Sequence, residues 1–236
     1  MGFVDLHNHC LFGLDDGARD LSTSRAMLDA LAALGFTEVF ATPHQKAGQF
    51  MPARAAVDQA LAEVRAAVPT GPTLRLGFEN MWDEVFFERS QHDTIPSYDD
   101  GDAFLFELRT QVMPVGLIEH LFRFRMSGKA PVLAHPERYE ALWTDAGLAD
   151  KLRRQAAFVV DLAALVGYHG KPQQKAARRF VEDGWAAAVA TDAHTVEDVR
   201  TAAEGVAWIE KKLGTRTVER LLDDGPRAIL LGELPE

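Results

Sequence analysis

Seven short apolar runs separated by helix-period segments constrain this chain of 236 residues more than any other feature. They read "FVDL" (3–6), "EVFAT" (38–42), "TLRLGFE" (73–79), "AFLFEL" (103–108), "PVLAH" (131–135), "AFVVDL" (157–162) and "AAAVAT", which ends at Thr191. Among the intervening segments, "STSRAMLDALAALG" pairs a Ser/Thr start with a stop at Gly35, the expected signals of a helix. "PARAAVDQALAEVRAAV" carries Leu and Val at helical spacing, with Pro52 suited to a first turn. "GLIEHLFRFRMSG" and "QQKAARRFVEDG" end at Gly128 and Gly184. Repeated strand–helix alternation predicts a parallel sheet, open or closed into a barrel. Residues 80–102 are the least regular, and a short helix followed by a surface loop is expected there. No internal repeat, low-complexity tract or Pro/Gly/Ser linker interrupts the pattern, so one domain over residues 1–236 is expected.

The unusual polar residues sit mostly where these runs end. His7 and His9 follow "FVDL", His44 follows "EVFATP", and Glu79 ends "TLRLGFE". Glu107 lies in "AFLFEL", His135 ends "PVLAH", and Asp192 and His194 follow "AAAVAT". In a parallel barrel the C-terminal strand ends gather on one face, where active sites form. His7 and His9 are two residues apart in a strand, so both side chains leave on the same side and can hold one metal ion. Each residue alone has a plainer reading: two histidines at this spacing are often incidental, and a glutamate can face solvent or pair with arginine. Together those readings fail, because a carboxylate ending an apolar run is costly to bury unless it is paired or binds a metal. Spacing leaves open whether Asp15 or Asp16 joins the set.

Composition narrows the class further. The formal net charge of −10 argues against nonspecific nucleic-acid binding, which needs clustered Lys and Arg. No apolar run approaches the roughly 20 residues of a membrane span, and no signal-like segment opens the chain. The single cysteine, Cys10, rules out an internal disulfide framework and suits a reducing, cytoplasmic compartment.

The motifs "DLHNHCLFGLDDGA", "ATPH", the Glu after "RLGF", "LFEL", "LAHPERY" and "TDAH" resemble the PHP (polymerase and histidinol phosphatase) superfamily. Within it they are most similar to the bacterial manganese-dependent protein-tyrosine phosphatases of CpsB/YwqE type, linked to capsule and exopolysaccharide synthesis. The match runs in order from about residue 3 to about residue 200, and "GLDDGA" and "AHPERY" are its branch-specific parts. The resemblance implies a distorted (β/α)7 barrel holding three divalent metal ions, Mn²⁺ above all, with Fe or Zn²⁺ as alternatives. It implies that His7, His9, Glu79 and Asp192 hold the first metal, and that Glu79 bridges to a second shared with Glu107 and His135. Asp16, His44 and His194 would hold the third. Arg138 in "HPERY" and Arg200 become candidates for the phosphate, Arg200 standing one residue later than the family pattern. The implied partner is a phosphotyrosine protein, a bacterial tyrosine kinase; no residue pattern names it.

Mixed imidazole and carboxylate sets suit Mn²⁺, Fe or Zn²⁺ alike, and such a site can activate water at neutral pH. A tyrosine phenolate, with a pKa of about 10, needs little acid assistance to leave, and no acid beyond the cluster stands out. Three rivals share parts of the pattern. A PHP histidinol-phosphate phosphatase would use the same ligands, an amidohydrolase typically has a bridging lysine where Glu79 stands, and a non-catalytic metal-stabilised module usually loses ligands. A cysteine-phosphatase loop is excluded because position 16, six after Cys10, is Asp; Cys10 reads as a small core residue. His92, His120 and His169 have no partner pattern, although His169 in "GYHGK" could border the site.

Overall fold

The computed structural model describes residues 2–234. All seven apolar runs form strands: β1 (Phe3–Asn8), β2 (Phe36–Ala41), β3 (His44–Gln45), β4 (Thr73–Leu76), β5 (Glu79–Met81), β6 (Ala103–Glu107), β7 (Ala130–Ala134), β8 (Ala157–Asp161) and β9 (Ala186–Ala190). Nine strands arise because one run is broken in two and a further short strand, β3, follows "EVFAT" beyond its end at Thr42. Pro43 has no N–H to donate to a ladder, so β2 stops at Ala41 and the path resumes at His44. "TLRLGFE" breaks at Gly77-Phe78, where the Tyr98 ring lies so close that a Cβ on Gly77 would fall 2.7 Å from it. Across both breaks the paths stay paired, through Gly77 N–H to Ala41 O (2.8 Å) and Glu79 N–H to Pro43 O (3.3 Å).

All strand pairs are parallel, in the orders β1-β2-β4 and β3-β5-β6-β7-β8-β9. Since β2 runs into β3 and β4 into β5, these are two parts of one curved sheet. Its ends meet: Asn8 bridges Ala193 in parallel, Asp192 N–H donates to His7 O (2.9 Å) and His9 N–H to Ala193 O (3.0 Å). Asp5 fastens the same seam, accepting from Thr191 N (3.0 Å), Thr191 Oγ1 (2.6 Å) and Asn8 Nδ2 (3.1 Å). Burial pushes the Asp5 carboxyl up to about 6, against the pull of those donors. The result is a ring of seven strand positions, the (β/α)7 arrangement.

The ring interior is filled at alternate positions by Val4 and Leu6, Phe40, Leu105, Val132 and Ala134, Val159, and Ala188 and Ala190. Period-2 alternation places every second side chain inside. Ile229, from the helix Gly225–Leu230, packs against this cluster. A larger cluster lies outside the ring, between strands and helices, with Leu31, Val64, Phe158, Phe180 and Ile209 among its members.

Helices connect the strands as expected, with shifted ends. Asp20, not Ser22 or Thr23, caps the helix Leu21–Leu34 by accepting from Thr23 N (2.8 Å). Pro52 stands ahead of the helix Arg54–Ala67 instead of in its first turn. Residues 80–102 hold the expected short helix, Glu84–Gln91, and a loop, but open on the last two residues of β5, which the irregular composition did not suggest. The longest helix, Val196–Leu213, begins with a capping box of Thr195 and Asp198. Among the described residues no helix is long and apolar enough to cross a membrane.

Gly205 sits on that longest helix where it presses on the short helix Leu162–Val166: a Cβ there would lie 2.3 Å from Leu162 O. Since the obstacle is backbone, Gly205→Ala should destabilise by about 1–3 kcal/mol, which for this size lowers Tm by roughly 2–4 °C per kcal/mol. A thermal melt checks this, and an unchanged Tm would mean that the two helices can part freely.

Candidate metal centre

Three local distortions aim the side chains at the barrel mouth. Between Asp5 and Asn8, β1 advances three residues while its partner β2 advances two, from Val39 to Ala41. This bulge re-phases the alternation, so that after Val4 and Leu6 fill the interior, His7 and His9 take the inward side instead of Asn8. Bulges re-aim side chains in this way beside active sites. His135 (φ 34°) and Asp192 (φ 47°) then turn through left-handed backbone at the ends of β7 and β9, a conformation that costs a non-glycine residue energy and collects at functional sites. Glu79 and Glu107 need no such device, since both are strand residues already facing inward.

Glu79 is the hub. Its side chain is 1% exposed; Oε2 lies 2.8 Å from His44 Nδ1, 3.3 Å from His7 Nε2 and 3.5 Å from His9 Nε2, and Oε1 lies 2.9 Å from His135 Nε2. Asp192 Oδ1 lies 3.2 Å from His7 Nε2 and 3.4 Å from His9 Nε2. Asp16 Oδ1 reaches both His44 Nε2 (3.3 Å) and His194 Nε2 (3.4 Å), and Glu107 Oε1 is 3.4 Å from His44 Nδ1. The nine side chains therefore form four overlapping sets of converging donor atoms: His9, Asp16, His44 and His194; His7, His9 and Asp192; His7, Glu79 and His135; His44, Glu79 and Glu107. Glu107 and His135 fall in different sets, joined only through Glu79.

The donor chemistry fits cations. Buried His44 Nδ1 faces Glu79 Oε2 at 2.8 Å and Glu107 Oε1 at 3.4 Å in one converging set, yet none of the three atoms has an aligned hydrogen bond. Unmet buried polar atoms cost about 1–3 kcal/mol each, a cost that a shared metal ion would remove. The acids stay charged despite burial: His7 and His44 hold Glu79 well below the usual carboxylate range, and His7 and Arg138 do the same for Asp192. Conversely, burial opposes the imidazolium forms of His7, His9 and His44, yet the neighbouring carboxylates outweigh it and raise all three. His135 differs, because burial and Arg138 lower it.

Asp15 and Asp16 have separate roles. Asp16 meets the imidazoles, while Asp15 Oδ2 takes the far side of His9, 2.9 Å from Nδ1, and accepts from His44 N (3.1 Å). Oδ1 accepts from Gly17 N (3.0 Å), and Gly17 must be glycine, since a Cβ would lie 2.2 Å from His9 O. Asp15 thus fixes the ring and tautomer of His9, as outer-shell carboxylates do for metal-binding histidines. Tyr139 OH does likewise for His135 Nδ1 (3.2 Å) while accepting from Leu108 N (3.0 Å).

Arg138 lies at the mouth, its Nη2 donating to Asp161 Oδ2 (3.1 Å) and to Asp192 Oδ2. Those acids keep it charged against the effect of burial. Arg200 is not brought to the cluster: it is exposed and donates to Glu197 Oε2 (2.7 Å) on its own helix. His92 and His120 also stand outside the donor sets, with His120 against Phe87 and Trp82. Cys10 is buried, and burial pushes its thiol above the ordinary range. Sequence reasoning missed Asp161, although it ends β8 as Glu107 ends β6, and the same strand-end signal would have found it. Glu137, fully buried, accepts from Asp161 N (3.2 Å), and burial with the nearby Asp161 charge raises its pKa.

A family model described as capsular polysaccharide synthesis, CpsB/CapC, matches residues 3–231. The chain is 26% identical over 242 residues to the tyrosine-protein phosphatase CpsB of Streptococcus pneumoniae, covering 98% of this chain and 99% of that one. It is 27% identical over 223 residues to the tyrosine-protein phosphatase YwqE of Bacillus subtilis, covering 90% and 85% respectively. The solved structures of YwqE and CpsB, described as unique metal-dependent tyrosine phosphatases, superpose with a TM-score of 0.87 at 25% identity, over 98% of this chain and 95% of the other. An organophosphorus hydrolase from Deinococcus radiodurans shares the fold alone, with a TM-score of 0.61 at 12% identity over 97% and 92%.

Two predictions follow from this geometry. Asp15→Asn should keep the fold but weaken metal binding about 10–100-fold, the usual effect of losing an outer-shell partner; competition with a chromophoric chelator measures it, and unchanged affinity would exclude the orienting role. Because His7, His9 and His44 are raised, metal must displace protons. Apparent affinity should rise with pH, and calorimetry in buffers of different ionisation enthalpy should register proton release; buffer-independent heats would contradict it.

Proposed function

The chain belongs to the CpsB/CapC family of capsular polysaccharide synthesis, and from that premise we propose that it is a metal-dependent protein-tyrosine phosphatase. The observation that carries the reading is the convergence of nine imidazole and carboxylate side chains at one mouth, three of whose buried atoms lack an aligned hydrogen bond. The substrate is phosphotyrosine on a protein, namely a bacterial tyrosine autokinase of capsule or exopolysaccharide synthesis, and the site of action is the cytoplasm. One PHP-type unit spanning residues 1–236 does the work.

In this reading three divalent ions, Mn²⁺ in preference to Fe or Zn²⁺, would be held at the centre: one by Asp16, His44 and His194, another by His7, His9, Glu79 and Asp192, and the third by Glu79, Glu107 and His135. Bound there, the ions supply an activated water nucleophile and positive charge for the phosphoryl oxygens. The protein's own contribution is positioning. Arg138, anchored by Asp161 and Asp192, presents its guanidinium to the phosphate, where a preorganised donor stabilises charge that grows during transfer. Arg200 joins the phosphate only by leaving Glu197.

Chelation with EDTA should abolish p-nitrophenyl phosphate turnover, and Mn²⁺ should restore it. A protein that stays active without metal would overturn the reading. Glu79→Ala and His135→Ala should each lower turnover by at least ~10²-fold, the scale of losing one major electrostatic stabiliser. Arg138→Ala should lower turnover while keeping full metal content, and Arg138→Lys should recover only part, because an ammonium cannot form the two-pronged contact. Metal loss in Arg138→Ala would instead make that arginine a structural support.

A further inference from the structure

Of the eight histidines, five belong to the donor sets, and one of the remaining three stands beside Arg138. His169 lies in the loop between the helices Leu162–Val166 and Lys171–Glu182. Gly167 (φ 93°) and Gly170 (φ 109°) bracket it, giving the sharp turns that bring residue 169 back to the mouth. Its Nε2 is 2.5 Å from Asp161 Oδ2 and 3.1 Å from Arg138 Nη2. Asp161 Oδ1 is committed to Ala163 N (2.8 Å), so Oδ2 is the oxygen that Arg138 and His169 share. The Asp161 side chain is 2% exposed and that of His169 is 24% exposed. The pair therefore runs from the core to solvent at the rim of the site.

We propose that Asp161 and His169 together form the proton donor to the leaving oxygen of the substrate, a role that rests on the phosphatase reading above. The contact between His169 Nε2 and Asp161 Oδ2 requires a proton between them, so the pair carries one proton next to the guanidinium that receives the phosphate. Of the three histidines outside the donor sets, His169 is the one within hydrogen-bond reach of Arg138 among the described residues. Glu137 cannot take this role, being fully buried behind Asp161. In the step, the water oxygen forms a bond to phosphorus as the ester P–O bond breaks. The electron pair of that bond goes to the phenolic oxygen, which takes the proton from the Asp161–His169 pair. The proton released by the attacking water returns to the pair through solvent, so that monoester and water give phenol and inorganic phosphate.

A proton donor matters more as the leaving group becomes more basic, which supplies the test. Metal-loaded wild type and His169→Gln would be compared by kcat/KM on p-nitrophenyl phosphate, phenyl phosphate and a phosphotyrosine peptide, with metal content and inhibition by inorganic phosphate measured alongside. His169→Gln should lose ~10²-fold or more on phenyl phosphate and the peptide, the range of general acid catalysis. Its loss on p-nitrophenyl phosphate should be at least ~10-fold smaller, so the dependence on leaving-group basicity steepens. Asp161→Asn should show the same steepening, and weaker phosphate inhibition as Arg138 loses an anchor. An equal fall on all three substrates, or none, would overturn the proposal, as would loss of metal from His169→Gln. A wild-type holoenzyme inert toward every aryl phosphate would instead bring down the phosphatase reading and this role with it.

Discussion

The structure is organised around one electrostatic constraint: a carboxylate at 1% exposure, Glu79, closed in by four imidazoles. A buried charge of this kind is tolerable only if opposite charge or strong donors surround it. β5, three residues long, delivers the carboxylate, and the neighbouring strand ends deliver the partners. The bulge in β1, the left-handed turns at His135 and Asp192, and the break at Pro43 all lie within the walls of this one space. Distortions that would weaken an ordinary barrel are concentrated where they steer donors onto Glu79 and its neighbours.

Much of this was legible in the sequence because two strong periodicities carry it. Each of the seven apolar runs became a strand, and each nitrogen or oxygen donor picked out at a strand end took its place in a converging set. What escaped has a physical cause in each instance. The bulge between Asp5 and Asn8 leaves no trace in a six-residue strand, yet it decides which face His7 takes. Gly77 looked like part of one strand because its cause, the Tyr98 ring, comes from a loop 21 residues later. Asp15 and Asp16 are alike in the linear chain and differ only in which side of His9 and His44 they reach. Tyr139 and His169 each meet a partner 31 residues away in sequence, Leu108 and Arg138, which no local pattern could supply.

The similarity to YwqE and CpsB fits this division. About a quarter of positions are identical, while the folds superpose with a TM-score of 0.87. Such low identity with such close geometry is expected where the outer helices need only present apolar faces of suitable size. At the mouth the demand is tighter, because distance and charge as well as size decide whether a side chain can serve as a donor. Away from the site, half-buried Arg178 and Arg179 stack on Trp208 and Trp185 in cation–π contacts between the elements around the ring.

The seam between β9 and β1 has a consequence for how the molecule comes into being. His7 and His9 emerge early in synthesis, whereas Asp192 and His194 follow about 185 residues later. A growing chain therefore carries seven of its nine donors before the last two arrive behind the final strand. Contacts this far apart in sequence are slow to close, since the loop entropy must be met before they reward it. Asp5 waits in the same way for Thr191, its partner across the seam. The last strand thus acts as a checkpoint: a truncated or stalled chain exposes carboxylates and imidazoles without enclosing them, and only a completed ring presents the whole set to an arriving ion.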